Sequence, residues 1–317
     1  MKHEHFSHAW LIFPVKSAPP LTKYTNRRFL EAAGAARCLV EIVDPNLMAP
    51  NLLDPEHPER LAAKRPLPDF VIARSGANMG INGQNLLRVC QAAGVSVFPR
   101  TSQLRRAGDK LRSARMLSEA GLPTPRTQAL SDVMGNLDQL IYPIVLKRAK
   151  GSQGKRVALC HSKEALLEAA ASMPGRSPLI VQDFIASSFG RDIRVLISGG
   201  RAIAAIERRG AEGDFRSNLA QGGHPIAVPL SEDIVSLSEA AARAMRLDFA
   251  GVDLLCGEDS YLVCEVNSSP GFEGVEAVCS IDIAKRILDD AAQLHRQRRA
   301  RGPDLGKRTG VPCGVVR

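Results

Sequence analysis

No run of apolar residues in the chain approaches the roughly 20 that a membrane-spanning helix needs. The longest, at 10–15 and 203–206, end after a few residues. No membrane span is expected, and the first residues lack the basic, apolar and small-residue order of a signal peptide, so the protein reads as cytoplasmic. There is no Cys-x-x-Cys pair either. The seven cysteines, Cys38, Cys90, Cys160, Cys256, Cys264, Cys279 and Cys313, are odd in number and scattered, which argues against a zinc site or a disulfide framework and for reduced thiols. Internal repeats and low-complexity segments are missing. No Ser-His-Asp or Cys-His arrangement stands out, so no protein nucleophile is expected.

What is present is the composition of an ordinary globular protein, with 317 residues, 44% hydrophobic and 24% charged, 26 Gly and 20 Pro. That length accommodates two or three packed subdomains. The net charge is +9, of which +6 comes from 296–317, where Arg296, Arg298, Arg299, Arg301, Lys307, Arg308 and Arg317 face a single acid, Asp304. This leaves +3 on the body. The basic end reads as a solvated, disordered tail, and nucleic acid is not expected as the main partner. RNA or ribosome contact is a minor alternative.

Along the chain, short apolar runs rich in branched residues at 10–15, 38–43, 70–74 and 95–98 are interspersed with helical patterns at 26–36 and 83–93. This predicts a small parallel α/β domain. Residues 46–68 carry Pro, Asp, Glu and Arg without a period and read as a long surface loop. A single helix is expected from Thr101 through Leu104, Leu111, Met116 and Leu117, ended by Gly121 and Pro123 and linking two domains. Strands are then expected at 144–147, 156–160, 179–182, 192–197, 202–207, 251–256 and 261–266, with helices at 163–172, 233–245 and 281–296. The fold class is therefore α/β followed by hairpin-rich α+β.

The first chemical signal is Lys147-Arg148-Ala149-Lys150-Gly151-Ser152-Gln153-Gly154-Lys155-Arg156, a strand ending in Lys and a glycine-containing loop leading into a second strand. Glycines let backbone N–H groups approach phosphate oxygens, and Lys adds a point charge. The P-loop pattern is not met, since Ala149 stands where the first Gly would fall and Arg156 where Ser or Thr would bind the metal. Taken alone, the loop reads more simply as a hairpin turn with a solvated Lys. A second signal reverses that reading. Asp253, Glu265 and Asn267 fall on the two strands of one hairpin, and the even spacing of Glu265 and Asn267 points both to one face. Three hard oxygen ligands suit Mg²⁺ together with substrate phosphates. The alternative is an acid paired with a neighbouring Arg. Between the two signals, 206–219 contains Arg208, Arg209 and Arg216 and reads as a mobile loop that closes over a triphosphate or an acidic substrate, with a plain solvated loop as the alternative.

Six segments in this order, Ala107-Gly108-Asp109-Lys110-Leu111-Arg112-Ser113, Val181-Gln182-Asp183-Phe184-Ile185, Asp192-Ile193-Arg194, the 207–219 block, Ala250-Gly251-Val252-Asp253 and Glu265-Val266-Asn267-Ser268-Ser269-Pro270-Gly271, carry a resemblance. They resemble the ATP-grasp superfamily and, within it, the RimK-type amino-acid ligases, whose founding activity adds glutamate to the C-terminus of a small-subunit ribosomal protein. The resemblance implies an N-terminal pre-ATP-grasp α/β domain at 1–103, an ATP-grasp domain at 104–295 and a basic tail at 296–317. It implies that Lys110 and Lys147 contact phosphates and that Gly151, Ser152, Gln153 and Gly154 form the loop over them. Asp183 and Phe184 resemble the hinge that meets the adenine, and Asp192 the ribose or substrate-side acid. Arg216, Ser217 and Asn218 resemble further nucleotide contacts. Asp253, Glu265 and Asn267 would hold one or two Mg²⁺ or Mn²⁺ ions.

The implied reaction is ADP-forming. A carboxylate attacks the γ-phosphate of ATP while the metal, Lys147 and Arg194 or Arg216 offset the developing charge, and an amine then displaces phosphate from the acyl phosphate. The expected substrates are an amino acid, glutamate, and a protein or peptide acceptor, a ribosomal protein among them. Self-association is left open. Two other readings stand beside this one, namely a ligase that joins an amino acid to a small molecule or cofactor, and a non-catalytic nucleotide- or RNA-binding protein on the same fold.

Overall fold

The N-terminal third begins with an alternation of strands and helices: β1 (Ser7–Ile12), α1 (Tyr24–Ala32), β2 (Cys38–Val43), the single-turn α2 (Glu59–Ala62), β3 (Phe70–Ala73), α3 (Gly80–Ala92) and β4 (Ser96–Phe98). The computed structural model describes residues 6–14, 23–76, 79–151, 156–217, 219 and 222–301. The four strands form a parallel sheet in the order β2-β1-β3-β4. All four residues of β3, Phe-Val-Ile-Ala, are buried, as a parallel strand covered on both faces requires. The 46–68 segment, expected as loop throughout, also contains two 3-10 turns, Pro45–Leu47 and Pro50–Leu52. Each opens with Pro, whose missing N–H costs nothing at that position.

The single helix expected after Thr101 is two helices, α4 (Thr101–Ala107) and α5 (Lys110–Glu119). The break has a local cause. The Asp109 carboxylate accepts a hydrogen bond from Arg112 N at 3.2 Å, so Asp109 caps a new helix. A second sheet follows, built from β5 (Thr127–Ala129), β6 (Ile144–Arg148), β7 (Val157–Cys160) and β8 (Leu179–Asp183), with α6 (Leu130–Val133) and α7 (Lys163–Ser172) packed on it. It is antiparallel, in the order β5-β8-β6-β7.

The last third contributes β9 (Arg191–Ser198), β10 (Arg201–Arg209), β11 (His224–Val228), α8 (Glu232–Ala244), β12 (Ala250–Cys256), β13 (Tyr261–Asn267), α9 (Glu273–Glu276) and α10 (Ile283–Ala300). Its five strands form an antiparallel sheet ordered β11-β10-β9-β12-β13. One face buries Val195, Val252 and Val263 against Ile234, Ala241 and Ala242 of α8. The other face shares a core with the N-terminal sheet, in which Leu196, Phe249 and Phe272 join Phe70, Phe98 and, from α10, Ile283, Leu288 and Ala291.

This shared core is held at its edge by α10. Ser96 Oγ lies 3.1 Å from His295 Nδ1, and the Arg298 guanidinium sits 4.3 Å from the centre of the Phe98 ring while pairing with Asp248 at 2.8 Å. The helix therefore continues to Ala300, and residues 296–300, expected as the start of a loose tail, are helical. The rest of that tail, 302–317, lies outside the described residues. Among the described residues no helix is long and apolar enough to cross a membrane, and the six cysteines there are all free.

Candidate active site

The three sheets border an open cleft of about 1320 Å³, lined from all three by residues such as Arg74, Lys147, Asp183, Asp253 and Glu265. Its floor is an ion-pair network that strand register builds. Asp253 on β12 stands opposite Arg194 on β9 and Glu265 on β13. Arg194 donates from Nε and Nη2 to the two Asp253 oxygens, both at 2.7 Å. Arg208 on β10 stands opposite Asp192, donates to both of its oxygens, and also reaches Asp253 Oδ2 at 2.9 Å.

Burial alone would raise the Asp253 carboxyl, but Arg194 and Arg208 outweigh it and hold the group down at about 2. Asp192 is pushed upward, because burial, joined by the Asp253 charge, outweighs Arg208 and Arg194. Arg208, expected in a mobile loop, is thus a buried strand residue locked between two acids.

The candidate metal ligands meet at the same end of the cleft. A carboxylate offers about four lone-pair sites, and three of those on Asp253 take guanidinium N–H groups. Glu265 is freer. Its side chain is 33% exposed, and it contacts Lys110 Nζ at 3.2 Å, an ammonium that also donates to Gly151 O at 2.9 Å. Asn267 Oδ1 accepts from Ser269 N at 2.9 Å, which leaves one lone pair. Among the described residues no group of three or more His, Cys, Asp and Glu side chains converges, so the set owes its third oxygen to the Asn267 amide. One largely open carboxylate and two partly open oxygen donors, without thiol or imidazole, fit a small hard cation that completes its shell with phosphate and water.

Opposite this set, Lys147 on β6 is buried, and its Nζ donates to Gln182 Oε1 at 2.8 Å. Gln182 is fixed in turn, donating from Nε2 to Thr127 Oγ1 at 2.8 Å. No carboxylate pairs with Lys147 among the described residues, so a buried ammonium keeps donors in reserve for an anion. Next on β8, Asp183 lines the cleft and pairs its carboxylate with Arg126, 3.3 Å away. The Phe184 ring meets Phe189 and Phe215 edge-on, with centroids 6.3 and 6.4 Å apart.

Arg216 and Ser217 also border the cleft, and Arg216 pairs with Asp214 at 2.7 Å. Their segment, expected to be mobile, folds back on β9. Gly190 N donates to Phe215 O at 3.1 Å, and Gly210 N to Gly190 O at 2.8 Å. A Cβ at Gly210 would fall 1.9 Å from Arg216 O, so only glycine permits this approach. Ser152, Gln153, Gly154 and Asn218 lie outside the described residues. Sequence reasoning passed over Arg74, which lines the cleft next to Ser75 and Gly76. The signal was a charged residue closing the apolar run of β3.

Two antiparallel sheets closing on lysines, arginines and hard oxygen donors, behind a parallel α/β unit, define an ATP-grasp enzyme. A RimK domain ATP-grasp protein from Sphaerobacter thermophilus shares the fold, with a TM-score of 0.64, 20% identity, and coverage of 90% of this chain and 98% of its own. The RimK-like ATP-grasp domain matches residues 107–291, and the chain belongs to that family. It is similar to a probable alpha-L-glutamate ligase of Aliivibrio fischeri, 37% identical over 273 residues that span 84% of this chain and 90% of the relative. It is also similar to the ribosomal protein bS6–L-glutamate ligase of Escherichia fergusonii, 37% identical over 279 residues covering 84% and 91%. The protein is an ATP-dependent ligase of the ATP-grasp class.

Proposed function

We propose that the protein joins glutamate to the C-terminal carboxylate of a protein, with a ribosomal protein as the first candidate, in the cytoplasm. The observation that carries this reading is the pair of charges that the cleft leaves incompletely matched. Lys147 is buried with a neutral acceptor alone, and Glu265 is touched by one lysine. Nucleotide phosphates answer the first and a divalent cation the second. The choice of glutamate and of a protein acceptor follows the names of the relatives.

In the proposed reaction Lys110 and Lys147 bind the phosphates, together with Gly151, Ser152, Gln153 and Gly154. Phe184 and the Asp183 backbone meet the adenine, while Arg216, Ser217 and Asn218 make further nucleotide contacts. Glu265, Asn267 and the remaining lone pair of Asp253 would hold one or two Mg²⁺ or Mn²⁺ ions, which supply neutralisation of phosphate charge when bound.

The acceptor carboxylate oxygen bonds to the γ-phosphorus as the bond to ADP breaks, giving an acyl phosphate. The glutamate amine then bonds to the acyl carbon, loses a proton, and expels inorganic phosphate. Arg194 spends two of its five N–H groups on Asp253 and keeps three to offset charge in both steps. Asp192 acts through Arg208, which it holds against Asp253.

The test is transfer of labelled glutamate in the presence of ATP and Mg²⁺ to a ribosomal protein fraction, followed by mass mapping of the labelled chains. Label at a protein C-terminus supports the proposal. Label confined to small molecules moves the acceptor to that class.

A further inference from the structure

Arg74 follows the last residue of β3 at the C-terminal edge of the parallel sheet. In the order β2-β1-β3-β4 the chain leaves β1 to one side for β2 and returns to the other side for β3, so β1 and β3 flank the topological switch point. Ligands of open parallel sheets bind in the crevice outside that point. Arg74 N donates to Ile12 O at 3.0 Å, which fixes the residue there, and Phe13, Arg74 and Gly76 line the cleft.

The Arg74 guanidinium is unlike the others named above. Arg194, Arg208 and Arg216 each grip a carboxylate. Arg74 has none within ion-pair distance among the described residues. Its Nη2 donates to Pro270 O at 2.8 Å, its Cζ lies 5.5 and 5.9 Å from the ring centres of Phe29 and Phe272, and its Nε is sealed from solvent without an acceptor. Burial holds it down at about 10, as expected of a cation without a counter-charge.

A second unmatched donor stands beside it. Ser269 Oγ is also buried without a partner, on the turn whose Pro270 carbonyl takes the Arg74 hydrogen bond, and a Cβ at Gly76 would lie 3.6 Å from Ser269 Cβ. This turn directly follows Asn267, so the two donors adjoin the proposed phosphoryl-transfer end of the cleft.

We propose that Arg74 and Ser269 bind a carboxylate of the amino-acid substrate that takes no part in bond formation. Two adjacent donors, one charged and planar, match the two oxygens of such a group. The inference rests on the ligase reading, in which the amino acid gives up its amine and keeps every carboxylate. It does not depend on the amino acid being glutamate.

The experiment uses the full chain with Arg74→Met, Arg74→Lys and Ser269→Ala. For whichever amino acid supports turnover, the KM values of that amino acid and of ATP are measured, together with the preference for the acid over its carboxamide analogues. The melting shift given by the same amino acid with ADP and Mg²⁺ is a readout free of turnover. Arg74→Met is expected to raise the amino-acid KM roughly 30-fold or more, as loss of a desolvated charge partner does. It should leave the KM for ATP unchanged and erase the preference for acid over amide. Arg74→Lys should restore part of that preference. Ser269→Ala removes an unpartnered hydroxyl, so it should fold as the wild type does and still raise the amino-acid KM.

Wild-type KM and acid preference in Arg74→Met and Ser269→Ala, or equal rises in both KM values, would overturn the inference. So would a wild-type melting point that no amino acid shifts. Turnover with an amino acid other than glutamate defeats the proposed function and leaves this test intact.

Discussion

Arg194 and Asp253 face each other on adjacent strands and share two hydrogen bonds of 2.7 Å, with side chains only 16% and 9% exposed. The pair fixes the carboxylate and the guanidinium at the heart of the cleft. Replacing Arg194 with Ala leaves Asp253 buried with one guanidinium in place of two. The expected loss of stability is about 2 kcal/mol, below the full cost of an orphaned buried charge because Arg208 still touches Asp253. Urea melts of the two proteins measure it, and turnover should fall together with stability. Unchanged urea midpoints would show that the pair carries no structural load.

Glu265 has one cationic partner and a third of its side chain exposed, so its removal should cost the fold little. Glu265→Ala is expected to melt within a few degrees of the wild type and to release no ADP. A folded variant with wild-type ADP release would remove Glu265 from the metal site.

Lys147→Met keeps the buried stem and removes the charge that Gln182 positions. A charge-assisted contact contributes about 1.5–3 kcal/mol, which corresponds to roughly a 10- to 100-fold loss of ATP affinity. Isothermal titration with ATP and Mg²⁺ checks this, and an unaltered affinity would mean that Lys147 does not meet the phosphates.

Part of this architecture is legible in the chain itself. The strands at 38–43 and 251–256 announce themselves because branched apolar residues fill them, and β2 and β12 lie there. The break between α4 and α5 is also written in the sequence, as Gly108 followed by the capping Asp109, but the apolar period running across it masks the signal. β5 and β11 escape notice because strands of three and five residues, with Pro225 inside the second, leave no period to detect.

At the site, the two-residue spacing of Glu265 and Asn267 is enough to place both on one face of β13. The pairing of Arg208 with Asp192 and Asp253 is not legible, since it depends on the registers of three strands that meet only in the folded sheet. The fit of Arg74 to the cleft is likewise a product of topology.

The contact of α10 with the N-terminal sheet gives a pH dependence. Burial lowers the pKa of His295 below its ordinary 6.5, assisted by Arg296, Arg298 and Arg299 and opposed by Asp69. The folded state thus binds this proton less readily than the unfolded state. The stability linked to His295 is complete above 6.5 and is lost as the pH falls below that value towards the lowered one. His295→Gln cannot titrate and can still bond Ser96. Between neutral pH and mildly acid pH, the wild type is expected to lose more melting temperature than the variant. Equal losses would detach His295 from the effect.

The most direct test of the central claim is ADP release by the purified protein with ATP and Mg²⁺, across single amino acids, each with and without a ribosomal protein fraction. The account predicts release that requires both glutamate and the protein fraction, with ADP and not AMP as the nucleotide product. Release with free amino acids or small amines alone would contradict a protein acceptor. No release under any condition, despite measurable ATP binding, would contradict the ligase chemistry proposed for this cleft.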